Sequence, residues 1–261
     1  MKIATWNVNS IKVRLPNLLA WLKDADPDVV CLQELKCVDE AFPRSQVEDA
    51  GYNVETHGQK TYNGVAILSK SPLEDVTRGL PGMEDDEQAR YLEGLVPAGD
   101  QMLRIASIYL PNGNPAPGPK YDYKLDWMEK LAAHAEALLA YEEPLALTGD
   151  YNVIPTPDDV HDAAAWADDA LFLPDTLKAF RSIANLGLTD AFRACHTTPH
   201  RYSFWDYQAG AWQKDYGIRI DHLMLSAHAA DRLVSCDIDK YVRDWEKPSD
   251  HVPVWAELDF D

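Results

Sequence analysis

The side chains with which this chain could do chemistry are Asn7, Glu34, Tyr109, Asp150, Asn152, Asp221, Asp250 and His251, scattered from the first segment to the last. Carboxylates, amides, a phenol and one imidazole, with no cluster of thiolates, are hard donors. Such a set suits Mg2+ or Mn2+ rather than a soft metal. Hard cations among carboxylates fit metal-assisted hydrolysis of a phosphoester better than acyl transfer. Acyl transfer lacks its own marks: there is no Gly-x-Ser-x-Gly elbow, and Cys31 lies in the apolar run Val29-Val30-Cys31-Leu32, where a thiolate is disfavoured. Glycine loops that cradle nucleotide phosphates are absent, as is the CxxC spacing of zinc sites.

What these residues share is their place at or near strand ends, where α/β folds build sites. Asp250 and His251 follow the turn formers Pro248 and Ser249 and precede Val252, Val254, Ala256, Leu258 and Phe260, whose alternation predicts a half-buried strand. Residues 2–8 read as a strand with Ile3, Thr5 and Asn7 on one face and Ala4, Trp6 and Val8 on the other. Behind it, Ser10 is a predicted N-cap for a helix marked by Ile11, Leu15, Leu18, Leu19 and Leu22, which Asp26-Pro27-Asp28 stops. Glu34 comes directly after the buried strand 29–32. The pattern predicts a short helix over 43–50, strands over 51–54 and 64–68, and an antiparallel pair over 91–96 and 102–110. Tyr109 ends that pair, before Pro111-Asn112-Gly113-Asn114-Pro115. A long helix is predicted over 121–141, with Leu125, Met128, Leu131, Ala135, Leu138 and Leu139 on one side. The strand 145–147 then leads into Thr148-Gly149-Asp150-Tyr151-Asn152. A helix over 175–186 with Gly187 as its C-cap, aromatic residues at strand spacing over 202–207, a strand over 217–225 with Asp221 inside it, and a strand over 233–238 complete the reading. Taken singly, each polar residue also reads as a cap, a turn or a surface acid; their recurrence carries the argument.

At 261 residues and 46% hydrophobic content, the chain can bury one large core, and no Ser/Gly/Pro linker or repeat divides it. We expect one domain over 1–261. No apolar run approaches membrane-spanning length and the start reads as a strand, so the expectation is a cytoplasmic monomer with its four cysteines reduced. The formal net charge of −19 by itself argues against a nucleic-acid partner. Net charge speaks to solubility, however, and a cleft can differ in sign from the whole. The runs Glu84-Asp85-Asp86-Glu87, Asp158-Asp159, Asp168-Asp169 and Asp259-Phe260-Asp261 read as solvated surface.

Nine segments occur in an order that resembles exonuclease III and the abasic-site endonucleases of the exonuclease-endonuclease-phosphatase superfamily. They are Trp6-Asn7-Val8-Asn9, Leu32-Gln33-Glu34-Leu35-Lys36, Gly51-Tyr52-Asn53-Val54, His57-Gly58-Gln59-Lys60, Gly64-Val65-Ala66-Ile67-Leu68, Tyr109-Leu110-Pro111-Asn112-Gly113, Gly149-Asp150-Tyr151-Asn152, Ile218-Arg219-Ile220-Asp221 and Lys247-Pro248-Ser249-Asp250-His251. Each alone is weakly specific, but the ordered set spans essentially the whole chain. The resemblance implies a four-layer α/β sandwich, two mixed β-sheets face to face with helices outside, and one site at the top between them. It implies a Mg2+- or Mn2+-dependent DNA repair nuclease: a 3′-to-5′ exodeoxyribonuclease and abasic-site endonuclease cutting 5′ to the lesion, with 3′-end cleaning. Double-stranded DNA with abasic sites, nicks or 3′ ends would be the partner.

Carried over by position, Glu34 resembles the principal metal ligand, with Asn7 and Asp250 contributing directly or through water. Asp150 matches the acid that positions or deprotonates the attacking water, and Asn152 the amide that holds it. His251 would donate to phosphate oxygens, Asp221 would orient His251, and Tyr109 would contact the scissile phosphate or assist the leaving group. Lys12, Arg14, Lys36, Lys60, Arg90, Lys214 and Arg219 lie near the presumed top loops and read either as solubility charges or, clustered, as a basic rim for DNA phosphates, with Asn112 as a further expected DNA contact. Phe204, Trp205 and Ile218 match the pocket for a baseless sugar. Trp212 has two readings, a wedge into DNA or packing against its own loop. Some relatives carry Trp where Ile218 stands, and Asn112-Gly113-Asn114-Pro115-Ala116-Pro117 differs from other members, which leaves open the balance of incision and digestion. Two rivals stay open: a superfamily phosphatase acting on another phosphoester, and an inactive nucleic-acid-binding regulator.

Overall fold

Residues 1–260 are described by the computed structural model; Asp261, the last residue of the acidic tail, lies outside the described residues. The strands, in chain order, are β1 (Lys2–Asn7), β2 (Val29–Gln33), β3 (Asn53–His57), β4 (Val65–Ser69), β5 (Glu74–Arg78) and β6 (Tyr91–Ala98). After them come β7 (Gln101–Tyr109), β8 (Leu145–Asp150), β9 (Thr189–Asp190), β10 (Asp221–Leu225), β11 (Leu233–Ile238) and β12 (Val254–Leu258). One sheet has the order β11-β12-β1-β2-β4-β3 and the other β5-β6-β7-β8-β10-β9. Both are mixed: β1 runs parallel to β2 and β7 parallel to β8, while the other pairs are antiparallel. The sheets pack face to face, β1 against β8 and β10, and β2 against β7. This is the expected four-layer α/β sandwich.

Alternation along the strands decides which side chains enter the gap between the sheets. On β1, Thr5 faces inward, where it bonds with Gln33, and Gln33 donates across the gap to Ser107 Oγ at 3.1 Å. On the opposite face Trp6 meets Trp21 edge-on at 5.8 Å. Trp21 belongs to α1 (Ile11–Ala25), which covers the outside of the first sheet. On β7, Leu103 and Ile105 join the core between the sheets, whereas Ala106 and Ile108 pack with Trp127, Met128 and Leu131. Those last residues lie on α3 (Pro119–Leu139), which with α4 (Pro174–Ala184) covers the outside of the second sheet. The remaining short helices are α2 (Arg44–Asp49), α5 (Ala191–Cys195), α6 (Ala211–Lys214) and α7 (Ala227–Ala230).

Local expectations differ from the structure at a few places. Ser10 precedes α1 but makes no side-chain cap, because its backbone sits at φ 87°, off the extended region from which a cap reaches back. Asp221 opens β10 rather than lying inside it. Residues 217–220 pair with loops instead, Ile218 with Phe204 and Val160, and Arg219 N–H with Asp159 O. The aromatic segment 202–207 forms no strand, touching Ile218 and His251 through single bridges at Phe204. The residue that ends α4 is Asn185, with Gly187 beyond it. Edge strands β5 and β9 lacked an apolar signal: β5 reads Glu-Asp-Val-Thr-Arg, the charged composition that protects an open edge.

Candidate active site

Continued to the last residue of each strand, the inward alternation delivers Asn7 on β1, Tyr109 on β7 and Asp150 on β8, with Asp221 at the start of β10. Register places three of them in a row: Tyr109 opposes Asp150, and Asp150 opposes Asp221. The approach of β8 to β7 here depends on Gly149, where an added Cβ would lie 2.0 Å from the Ile108 carbonyl oxygen. Glu34 and Asn152, just past β2 and β8, turn with φ of 55° and 47°. Left-handed backbone at non-glycine residues persists where surrounding bonds over-determine it. Here Ser10 N–H donates to the Glu34 carbonyl, and Asn152 N–H to Asp150 Oδ1 at 2.9 Å.

The side chains converge across the sheets. Asn7 Nδ2 donates at 2.9 Å both to Glu34 Oε1 and to Asp150 Oδ2. His251 Nδ1 donates to Asp221 Oδ2 at 2.9 Å, and its Nε2 stands 3.7 Å from Asp150 Oδ2. Ser203 Oγ donates to Asp221 Oδ2 at 2.6 Å while accepting the backbone N–H groups of Ile220 and Asp221. Phe204 lies edge-on to the His251 ring at 4.9 Å. Asn112 Nδ2 donates to Asn152 Oδ1 at 3.1 Å, and Asn152 Nδ2 to the Leu110 carbonyl at 2.9 Å.

Charge follows from this packing. Burial alone would lower the His251 imidazolium, but Asp221 and then Asp150 outweigh it and raise it to about 10. Burial, with Asp221 adding to it, raises the Asp150 carboxyl to about 7 against the downward pull of His251. Imidazolium facing carboxylate is the arrangement the contacts favour, since Asp221 stabilises the cation while Asn7 and the Asn152 N–H stabilise the anion. Burial raises Glu34, yet Lys36 and Asn7 overcome it and hold the carboxyl below its ordinary range. Tyr109, hydrogen-bonded to Glu34, is raised well above the usual phenol range by burial and by Glu34 and Asp150.

Glu34, Asp150 and His251 offer ligand atoms within 4.8 Å of one another, the one such group among the described residues. Two carboxylate oxygen donors, one on buried Asp150 and one on half-buried Glu34 held as an anion, fit a hard divalent cation. Asn7 and Asp250 stand differently from the metal-ligand expectation. Asn7 presents its amide nitrogen to the carboxylates because its Oδ1 accepts from Asn9 N–H at 3.0 Å, so it organises Glu34 and Asp150. Asp250 Oδ1 accepts from Asn9 Nδ2 at 2.9 Å, outside the three-residue group.

The expected DNA-contacting residues separate into groups. Lys12, Lys60, Asn112 and Lys214 are exposed. Arg90 lies over the Tyr109 ring at 4.8 Å, and Arg14 donates to Asn9 O and Pro248 O, so both border the site. Lys36 is engaged with Glu34 at 2.9 Å. Trp212 is half-buried, stacked edge-on with Trp205 at 5.0 Å and donating to Asp244, which favours the reading of packing against its loop. Trp205, Ile218 and Arg219 do not reach the surface. Trp205 and Arg219 are 0% exposed and Ile218 1%. Arg219 is clamped between Asp159 at 2.7 Å and Asp190 at 2.8 Å, so its charge is spent on the interior.

Sequence reasoning missed Ser203, Asn9 and Lys124. Nothing marks Ser203, which acts through a contact between residues 18 apart. Asn9 lay inside the segment Trp6-Asn7-Val8-Asn9 but had no partner until Asp250 was placed. Lys124 did leave a signal: it shares the buried face of α3 with Tyr121, Met128, Leu131 and Ala135, where a lysine is out of place.

Comparison with known proteins identifies the family. Residues 4–251 match the Endonuclease/Exonuclease/phosphatase family. Exodeoxyribonuclease III of Haemophilus influenzae is 33% identical, the match covering 99% of this chain and 100% of that protein. A 3′ phosphatase from Neisseria, solved with a product DNA hairpin, superposes with a TM-score of 0.95 at 37% identity, covering 99% of both chains. An AP endonuclease from Archaeoglobus fulgidus gives 0.94 at 36% identity, again covering 99% of both. A match over nearly its whole length, on a sandwich whose strand ends bring Glu34, Asp150, Asp221 and His251 together, means that this chain belongs to the Endonuclease/Exonuclease/phosphatase family.

Proposed function

We propose that the chain is a divalent-metal-dependent DNA repair nuclease, hydrolysing phosphodiesters as a 3′-to-5′ exodeoxyribonuclease, cutting 5′ to abasic sites and cleaning 3′ ends. The observation that carries this reading is the convergence of Glu34, Asp150 and His251 within one group, backed by Asp221. The relatives named above, an exodeoxyribonuclease III, a 3′ phosphatase and an AP endonuclease, support the same substrate class. Glu34, with Asp150 nearby, would hold Mg2+ or Mn2+, which when bound neutralises phosphate oxygen charge.

The chain's own residues do the rest. Asp150, anchored by Asn7 and by Asn152 N–H, accepts the proton of the attacking water. Its geometry in the strand row keeps that carboxylate fixed. Protonated His251 donates from Nε2 to a phosphate oxygen, with Asp221 holding the ring from behind. One well-placed donor of this kind is worth about 3 kcal/mol in the transition state. Asn152 and Asn112 orient water and phosphate, and Tyr109 contacts the phosphate or the leaving oxygen. Arg14, Arg90, Lys12 and Lys60 form the rim that receives backbone phosphates on an otherwise acidic protein. We place this activity in one cytoplasmic, monomeric domain; the four cysteines are free thiols, as a reducing compartment would leave them, and among the described residues no helix is long and apolar enough to cross a membrane.

The test is incubation with duplex DNA carrying one abasic analogue, with Mg2+ and with chelator. Cleavage 5′ to the analogue that needs the metal supports the proposal. Cleavage that persists in chelator removes the metal role of Glu34, and failure to cut any DNA overturns the nuclease reading.

A further inference from the structure

Lys124 is 0% exposed, and no other lysine among the described residues is buried. It projects from α3 beneath the candidate site, and its ammonium donates to the carbonyl of Asn152 at 2.6 Å and to that of Asn112 at 3.1 Å. Those two carbonyls belong to different loops, one following β8 and the other β7. The same two residues meet again through their side chains, Asn112 Nδ2 to Asn152 Oδ1. Gly113 presses on the lysine stem: a Cβ there would lie 2.6 Å from Lys124 Cδ, so the loop rests directly on it. The backbone of each asparagine is thereby tied to one 21-residue helix, and the two side chains are tied to each other.

A lysine at this position is costly. Burying an ammonium exceeds the cost of a leucine or methionine filling the same space on an apolar face, unless its bonds serve something else. Departures from local packing preference are expected at functional sites. Burial lowers the Lys124 amine to about 7, against the opposing pull of Asp150, from the site, and Asp169, from the loop before α4.

We infer that Lys124 is a positioning residue for hydrolysis: by binding the Asn112 and Asn152 carbonyls it sets their amide groups relative to Asp150, and so governs the chemical step rather than DNA affinity. The inference rests on the nuclease reading above.

Lys124→Met keeps the stem and removes the donors. Single-turnover cleavage of a duplex with one abasic analogue should fall about 10- to 100-fold, as small misplacements of catalytic groups do. The Kd for the same duplex in chelator should stay within about twofold of wild type, separating positioning from binding. In an Asn112→Ala background the same substitution should cost markedly less, because the two act on one loop. Folded Lys124→Met that cuts as fast as wild type, loses rate only in proportion to affinity, or adds independently to Asn112→Ala overturns the inference. Should that variant not fold, Lys124→Arg and Lys124→Gln decide: Arg must cut faster than Gln at equal affinity, and any other order overturns it. The wild-type control separates failures, since a wild type that cuts no DNA removes the nuclease reading and this inference with it.

Discussion

His251 Nδ1 donates to Asp221 Oδ2 at 2.9 Å, and that bond, not the adjacent Asp250, fixes the imidazole. The ring is held by a strand of the second sheet although its own backbone leads into β12 of the first. Its free Nε2 consequently points toward Asp150 and the gap where a phosphate would sit.

Replacing Asp221 by Asn should therefore reduce turnover by up to about 10,000-fold, as loss of a carboxylate behind an imidazole does elsewhere, with little change in DNA affinity. Single-turnover rates paired with binding in chelator measure it. A rate within about fivefold of wild type would detach Asp221 from the mechanism.

Asp150→Asn should nearly abolish turnover while leaving DNA affinity intact or tighter. It removes the proton acceptor and, from a buried site facing phosphate, one negative charge. Fluorescence anisotropy with uncleaved duplex reads the affinity; weaker binding in parallel with lost cleavage would assign Asp150 to substrate holding.

Metal binding has a readout that needs no DNA. Mg2+ or Mn2+ should raise the melting temperature in a concentration-dependent way, because a ligand bound by the folded state stabilises it. Glu34→Gln should abolish that rise without lowering the metal-free melting temperature by more than a few degrees. An unchanged metal response in Glu34→Gln would place the ion elsewhere.

The buried ion cluster predicts acid behaviour. Burial would raise Asp159, but Arg219 and then Arg193 overcome it and hold the carboxyl at about 2, against an ordinary 3.8. A depressed carboxyl contributes stability that is complete above its unfolded value and is lost as pH falls through the folded one. About 2 kcal/mol should therefore disappear between about pH 4 and pH 2. Arg219→Met leaves Asp190 without its guanidinium and Asp159 with Arg193 alone, and should cost about 3–5 kcal/mol near neutral pH. Urea unfolding across pH checks both; a destabilisation under 1 kcal/mol would show that the cluster adds little.

Much of the site was legible because strand alternation has a period of two and needs no tertiary information. Ile3, Thr5 and Asn7 were on one face by sequence, and the structure turns that face into the gap. Asp150 and Glu34 were readable as acids directly following buried runs. Asp221 was found but misplaced, inside a longer strand, because residues 217–220 have strand-like composition while their hydrogen bonds go to loops.

What the chain's residues determined by themselves was most of the strands, the helices α1, α3 and α4 that cover the sheets, and the polar residues at strand ends, since those depend on local spacing and burial preference. Which of those polar groups act on which was decided only in three dimensions. Asn7 turns its nitrogen inward because Asn9, a residue in a left-handed turn, takes its oxygen. Arg219, Trp205 and Ile218 looked available for DNA but are covered, and burial of a loop residue depends on what other segments fold over it. Lys124 reaches the site only because α3 lies across the back of β7 and β8, a contact between elements whose spacing along the chain encodes no distance.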